Sequence, residues 1–301
     1  YTQPLVADGM VVFGCEDGKL YALSKSGQPL WSFASNGPIC SSPVLGNGSI
    51  FFGSYDGNLY CLSLAGRLRW SFQANGLVTC RPAYHDGRIY FSSYRKRLYA
   101  VDERGKQLWV ASLKSECFQN PVVHDNRIYL GSHDGAMQVF ALDGNLDWRF
   151  QAKDLTCDEP AFDGNTMYLG SADFNVYAVA LPTHALKWKT ATSAAVWSVP
   201  VVHDGMLLIG SHGCKLHAFD KETGTLLWDF GTSSTVQAPF EPDSASGPEP
   251  FQLVWSPPAS SAAGYRAAAG GTAGVSYNFL DKSYTGSRHY AGKRHRYTSD
   301  K

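Results

Sequence analysis

The sequence holds no long hydrophobic run, since stretches such as "MLLIG" and "IYFSS" fall far short of a membrane span. It holds no excess of either charge: 26 Lys and Arg balance 26 Asp and Glu, so no whole-chain field draws it to nucleic acid or to an anionic membrane. It has no CxxC pair. The seven cysteines, Cys15, Cys40, Cys61, Cys80, Cys117, Cys157 and Cys214, are scattered singly, which argues against a metal or redox site and for buried thiols in a reducing compartment. A GxxxxGK[ST] loop, a carrier serine in a Gly-Gly-x-Ser context and a G-x-S-x-G elbow are also missing, so nucleotide and acyl-transfer chemistry lack their usual residues. The first residues, "YTQPLVADG", show neither a charged leader nor a long apolar segment, and because residue 1 is Tyr rather than Met an upstream leader stays open.

What is present is a folded protein's composition, 44% hydrophobic and 13% aromatic over 301 residues, and a clock. Trp31, Trp70, Trp109, Trp148, Trp188 and Trp228 recur at steps of 39, 39, 39, 40 and 40. A second marker, Pro4, Pro43, Pro82, Pro121, Pro160, Pro200 and Pro239, keeps the same period. Between the markers each unit reads as four short strands, as in "SSPVLG", "SIFFGS", "NLYCLS" and "RLRWSFQ". The first turn is carried by "GNG", "HDG", "HDN" and "FDG", and the second by Asp17-Gly18, Asp56-Gly57 and Asp134-Gly135, because these residues tolerate the positive φ of tight hairpins.

Second strands such as "IFFGS", "IYLGS" and "MYLGS" are apolar on both faces, as in strands sandwiched between neighbouring sheets. Four strands per roughly 40 residues predict an all-β fold, a β-propeller in which each unit is one blade. Six complete units run from Pro4 to Pro239, which opens an incomplete seventh, and a closed ring is expected. The recurrent Trp, in the outermost strand, is expected to lie across the seam to the next blade.

Within these units, "AFDKETGTLLW" (Ala218 to Trp228) fits Ala-x-Asp-x-x-Thr-Gly-x-x-x-Trp at every fixed position, and "AVDERGKQLW" (Ala100 to Trp109) is one residue shorter. Over residues 1–240 the chain resembles the pyrroloquinoline-quinone (PQQ) repeat family, whose propellers carry these tryptophan-docking motifs. The resemblance points to three classes. In the PQQ-dependent dehydrogenases the quinone sits beside a calcium ion and a pair of adjacent cysteines, in an eight-bladed ring; this chain has no Cys-Cys pair and is too short for that ring. The outer-membrane assembly lipoprotein of bacteria is a periplasmic, non-catalytic scaffold, and scattered cysteines argue against an oxidising periplasm. The beta-alanine-activating enzyme, which is acyl-CoA-synthetase-like, ends in such a propeller, and "GSYDGNLYCLSLAGRLRWSF" and "TSSTVQAPF" look most like it.

The third class implies that this chain is the C-terminal part of an ATP-dependent, adenylate-forming ligase of the cytoplasm. The propeller would then be a non-catalytic docking module with no catalytic, cofactor-binding or metal residues of its own, and ATP and phosphopantetheine would belong to an upstream region. Its partners would be another protein or upstream domains of the same chain, with no nucleic acid and no membrane.

Individual residues are weighed on the repeat. His85, His124 and His203 follow a repeat proline by three residues; they are expected to be solvated turn residues on one rim, too far apart to share a metal ion. His133 and His212 stand after the Gly-Ser of the second strand, where other blades have Tyr55, Tyr94 and Ala172. A variable position on a repeated hairpin is where a binding face differentiates, and drift at an exposed turn is the alternative. The acidic pairs Asp158-Glu159 and Glu16-Asp17 show no matched nucleophile or base. Asn47-Gly48-Ser49 reads as a turn.

After Phe240 both markers stop. From Glu241 to Gly274, 23 of 34 residues are Gly, Ala, Ser or Pro, too few apolar groups to offset chain entropy. The last residues carry Lys282, Arg288, Lys293, Arg294, Arg296 and Lys301 against Asp300. Residues 241–301 are expected to be a disordered or aberrant tail, with a change of reading frame after 240 as one explanation and a basic contact segment as another.

Overall fold

The computed structural model describes residues 2–156 and 159–232. The expected seventh blade, the segment 241–301, Cys157 and Asp158 lie outside them. The described strands fall within one compact unit, Tyr1–Pro239. They form six four-stranded antiparallel sheets, each in simple meander order. The first blade runs through β1 (Leu5–Ala7), β2 (Met10–Gly14), β3 (Lys19–Ser24) and β4 (Pro29–Ala34). The others repeat it over residues 44–73, 83–112, 122–151, 161–191 and 201–231.

The turn chemistry explains why each unit folds back where it does. β1 and β2 are joined by Asp8 and Gly9 at φ 48° and 75°, and the same pair of positive angles recurs at Asn47-Gly48, Asp86-Gly87, Asp125-Asn126 and Asp204-Gly205. These are the two-residue hairpins whose twist matches that of the strands they join. The second strand of blade two, Ser49–Gly53, is buried along its whole length, because a blade covers each of its faces.

The first strands are innermost and pack on those of neighbouring blades. The outer edge is shaped by a register shift between third and fourth strands, at Ala22/Leu23, Cys61/Leu62, Ala100/Val101, Val139/Phe140, Ala178/Val179 and Ala218/Phe219. A bulge re-aims the side chain beside it, and here the residue paired at the shift is the repeat Trp, as in Ala22 opposite Trp31.

That aim carries the indole over the seam, as expected. The Nε1–H of Trp31 donates to Leu64 O at 3.0 Å, that of Trp70 to Glu103 O at 2.7 Å, that of Trp109 to Leu142 O at 2.9 Å and that of Trp188 to Lys221 O at 2.9 Å. Each ring lies on a turn glycine of the next blade, Gly66, Gly105, Gly144 or Gly224, where a Cβ would come within 2.8 Å of an indole carbon. These glycines also have positive φ, so the position demands Gly twice over. Blade five departs from this: His184, at φ 56°, stands where blade six has Gly224 in a turn of the same length, and Trp148 stacks on its ring at 4.2 Å.

The six described blades do not close the ring. Trp228 is 43% exposed, Val201 55% and Phe230 62%. At the other end Gly27 stands in the acceptor position, with no described residue within 4 Å of where a Cβ would lie. Val11, Phe13, Tyr21 and Leu23 are half-buried where their blade-two counterparts Ile50, Phe52, Tyr60 and Leu62 are buried. Each internal seam joins a Trp-bearing face to a face that receives it, and among the described residues one of each remains at the ends of the array.

Docked and undocked tryptophans should therefore differ in energetic weight. Trp70→Ala is expected to cost about 3 kcal/mol or more, and Trp228→Ala ~1 kcal/mol or less, both read from urea denaturation followed by circular dichroism.

Candidate functional site

Chain connectors from each fourth strand to the next first strand lie on the same side as the turns between second and third strands. Backbone hydrogen bonds tie them together: Tyr55 N–H to Pro38 O at 2.9 Å, Tyr94 to Leu77 at 2.9 Å, His133 to Glu116 at 3.1 Å, Ala172 to Leu155 at 2.7 Å and His212 to Ala195 at 2.8 Å. The residue after each Gly-Ser is therefore held by its backbone in five blades, and its side chain is free to differ. The preceding serines Ser54, Ser93 and Ser171 are buried and donate to connector carbonyls of Gly37, Asn75 and Asp154 at 3.1, 2.9 and 2.9 Å.

The variable side chains meet rings that the connectors supply. Phe118 lies between Tyr94 of blade three, at 4.6 Å between centroids, and His133 of blade four, at 4.4 Å. Trp197, 46% exposed, lies 4.5 Å from His212. The two histidines singled out by the repeat thus each join an aromatic group on this connector face. Burial against these neighbours lowers the His133 pKa below its usual value, in spite of the carboxylates of Glu116, Asp134 and Asp154 nearby.

At the inner edge of the same face the residues before the first five repeat prolines form a polar belt. Gln3 N–H donates to Ser42 Oγ at 2.8 Å, Arg81 N–H to Asn120 Oδ1 at 2.6 Å, and Asn120 Nδ2 to Glu159 Oε1 at 2.9 Å. The Arg81 guanidinium reaches Glu159 Oε2 at 2.7 Å and Gln3 Oε1 at 3.4 Å, so one side chain of blade three touches blades one and five. Two clefts, of about 280 and 370 Å³, share Arg81 in their walls. Glu159, which the sequence left without a partner, is held through both oxygens. The belt was visible only as the pre-proline series Gln3, Ser42, Arg81, Asn120 and Glu159, a set of polar residues with no motif to mark it.

A carboxylate clamp fastens three of the second turns. Asp17, Asp56 and Asp173 accept the hydroxyls of Tyr21, Tyr60 and Tyr177 at 2.5, 2.6 and 2.5 Å. Asp56 and Asp173 also take a connector N–H, from Asn36 and Lys153, at 3.0 Å. Burial raises the Asp173 pKa, but the Tyr177 and Asn175 hydrogen bonds outweigh it and leave the carboxyl below its ordinary value. The hydrogen bond to Asp17 pushes the Tyr21 hydroxyl up to about 12. Glu16-Asp17 is therefore a structural pair of neighbours, with Asp17 engaged in holding a turn.

The opposite rim carries His85, His124 and His203, which end first strands rather than occupy turns. His203 is exposed and lies 3.1 Å from Asp204. His124 is not the solvated group expected: it is half-buried and stacks on Phe162 of blade five at 4.0 Å and 8°, because that blade supplies a flat ring across the seam. Asn47 is a turn residue at φ 43° and donates to Glu103 Oε2 at 3.2 Å.

Among the described residues, no three His, Cys, Asp or Glu side chains gather closely enough to hold a metal ion. Six described cysteines are free thiols. Cys61, Cys80 and Cys117 are buried as expected, and burial pushes the Cys117 thiol well up. Cys214 is exposed at φ 55°, in the turn position where blades one, two and four have Gly.

The lowered His133 pKa carries a sign. A group whose folded pKa lies below its unfolded value, about 6.5 for His, contributes stability above that pH and loses it as pH falls through the folded pKa. His217 is shifted the same way by burial. Melting temperature should therefore fall on acidification below about pH 6.5, and His133→Asn should flatten that fall while leaving the part due to His217.

The family described as outer membrane protein assembly factor BamB matches residues 2–81, 66–195 and 153–272. The crystal structure of BamB from Moraxella catarrhalis superposes with a TM-score of 0.70 at 14% identity, covering 76% of this chain and 75% of that one. The computationally designed Ika8 protein superposes with a TM-score of 0.69 at 19% identity, covering 77% and 74%. No curated protein matches.

Proposed function

The chain belongs to the PQQ-like repeat family described as outer membrane protein assembly factor BamB, and from that membership we propose that it is a non-catalytic scaffold that binds protein partners through its connector face. The observation that carries this reading is the contrast between a backbone repeated from blade to blade and side chains that change at one position of it, with Tyr94, Phe118, His133, Trp197 and His212 gathered into ring contacts there. Rigid scaffolds carry specificity in such positions, and aromatic groups are the usual anchors of protein interfaces. Glu159, with both oxygens engaged, acts as a structural tie within the belt, and the propeller itself uses no cofactor.

The finer form of the proposal concerns the parent protein. The Cys-bearing third strand around Cys61 and the six free thiols favour a cytoplasmic propeller attached to a beta-alanine-activating, acyl-CoA-synthetase-like ligase, whose ATP and phosphopantetheine sites would lie outside this chain. The other form is a free-standing scaffold of the BamB type, for which the family match speaks. Alkylation of the protein in freshly lysed cells separates them. Fully reduced thiols support the cytoplasmic form, and a disulfide would remove it.

Photo-crosslinking tests the connector face. With a photoreactive residue in place of Trp197 or Phe118, adducts to partner proteins are expected, and with one in place of Asp86 or Asp204 on the opposite rim they are not. Equal labelling from both sides, or quinone- and calcium-dependent dye reduction by the purified chain, would overturn the scaffold reading.

A further inference from the structure

The third blade breaks the rule of its own repeat at the connector face. Where blades one, two and four turn on Asp17-Gly18, Asp56-Gly57 and Asp134-Gly135, blade three has Arg95-Lys96 followed by Arg97. The exchange gives up two stabilising features. Lys96 sits at φ 58°, in the left-handed region that blades one, two and four occupy with Gly18, Gly57 and Gly135 and blades five and six with Phe174 and Cys214. The carboxylate that takes the connector N–H in blades two and five is gone, and Asn75 N–H falls back on the Tyr99 hydroxyl at 3.0 Å. Local rules broken without a local gain mark functional positions.

The cations stand beside the aromatic group already described. Arg95 and Lys96 follow Tyr94, whose ring packs against Phe118 at a tilt of 44°. Leu113 N–H donates to Lys96 O at 2.9 Å, which brings exposed Lys114 to the same edge. Among the described residues Arg95, Lys96 and Lys114 form no ion pair, unlike Arg127, Lys187, Lys215 and Lys221 elsewhere. On the far side of Phe118, near His133, the charge reverses with Glu116, Asp134 and Asp154. A polynucleotide running across the face would meet those carboxylates, whereas a short acidic segment bearing an aromatic side chain matches the cations and the rings on its own scale.

We infer that the blade-three turn, Arg95, Lys96 and Lys114 with Tyr94 and Phe118, is a binding site for an acidic, aromatic-containing peptide segment of a protein partner. This rests on the connector-face reading above and names the partner's chemistry.

The test uses the full chain and fluorescence anisotropy with three labelled probes: a peptide of repeated Glu-Glu-Tyr triplets, the same peptide with Ser for Glu, and a single-stranded RNA. The acidic peptide should bind, more weakly as salt rises, and the other two should not. The double variant Arg95→Asp/Lys96→Gly restores the Asp-Gly turn of the other blades. It is expected to raise the melting temperature by about 2–4 °C while weakening peptide binding by about tenfold or more. Lys114→Glu, which leaves the turn untouched, should weaken binding in the same direction. Lys293→Ser/Arg294→Ser/Arg296→Ser, in the basic C-terminal segment, should leave it unchanged. Absence of binding, equal or tighter binding of RNA, unchanged affinity in the restored-turn variant, or loss in the C-terminal variant alone would each overturn the assignment. The crosslinking pattern at Trp197 would be untouched by any of these, so the two readings fail separately.

Discussion

One contact, an indole laid across a seam onto a glycine, holds the blades to one another. It depends on three local features that agree: a bulge in the fourth strand, next to the Trp, that tips the ring outward, a glycine at positive φ that leaves room for the ring, and a carbonyl 33 residues on that accepts the indole N–H. Local and tertiary preferences coincide, which is what makes a repeat specify one structure. Blade five shows how far the contact tolerates change. His184 adopts the left-handed backbone at φ 56° and offers its own ring in place of an open glycine face.

Because the seams carry cohesion at the outer edge, and the first strands with the polar belt carry it at the inner edge, the turn tips of the connector face between them are relieved of both duties. Its backbone is fixed by hydrogen bonds that no side chain is needed to make. Side chains at the position after the Gly-Ser can be exchanged without disturbing that backbone, and Tyr, His and Ala occupy equivalent places, whereas the cations that replace an Asp-Gly turn in blade three give up local stability. The opposite rim is less free, since the turns there receive the tryptophans.

The fold was legible because its signals are local and repeated. Trp and Pro at a common period, Asp-Gly and Asn-Gly turns, and second strands without alternation are each read from a few residues, and six copies of them reinforce one another. The site was only half legible. His133 and His212 stood out as exceptions within a repeated hairpin, but the rings they meet, Phe118 and Trp197, lie in connectors of irregular sequence, where no period exposes them. Arg81 and Glu159 are 78 residues apart, and their pairing follows from curvature around the inner edge rather than from spacing. His124 misled for the same reason, since Phe162 reaches it from the next blade.

The ends of the described array bear on how its blades come apart. Among the described residues, blades two to five are each gripped along two seams, while blades one and six are gripped along one. Repeat arrays lose order unit by unit according to nearest-neighbour cohesion, so opening begins at the margins, where the outer strand around Trp228 can peel without disturbing a second interface. Blade three sits away from both margins, which places the turn around Arg95 and Lys96 in the part of the array last to loosen. Fraying at the edges and a settled interior are thus built into the same row of wedges.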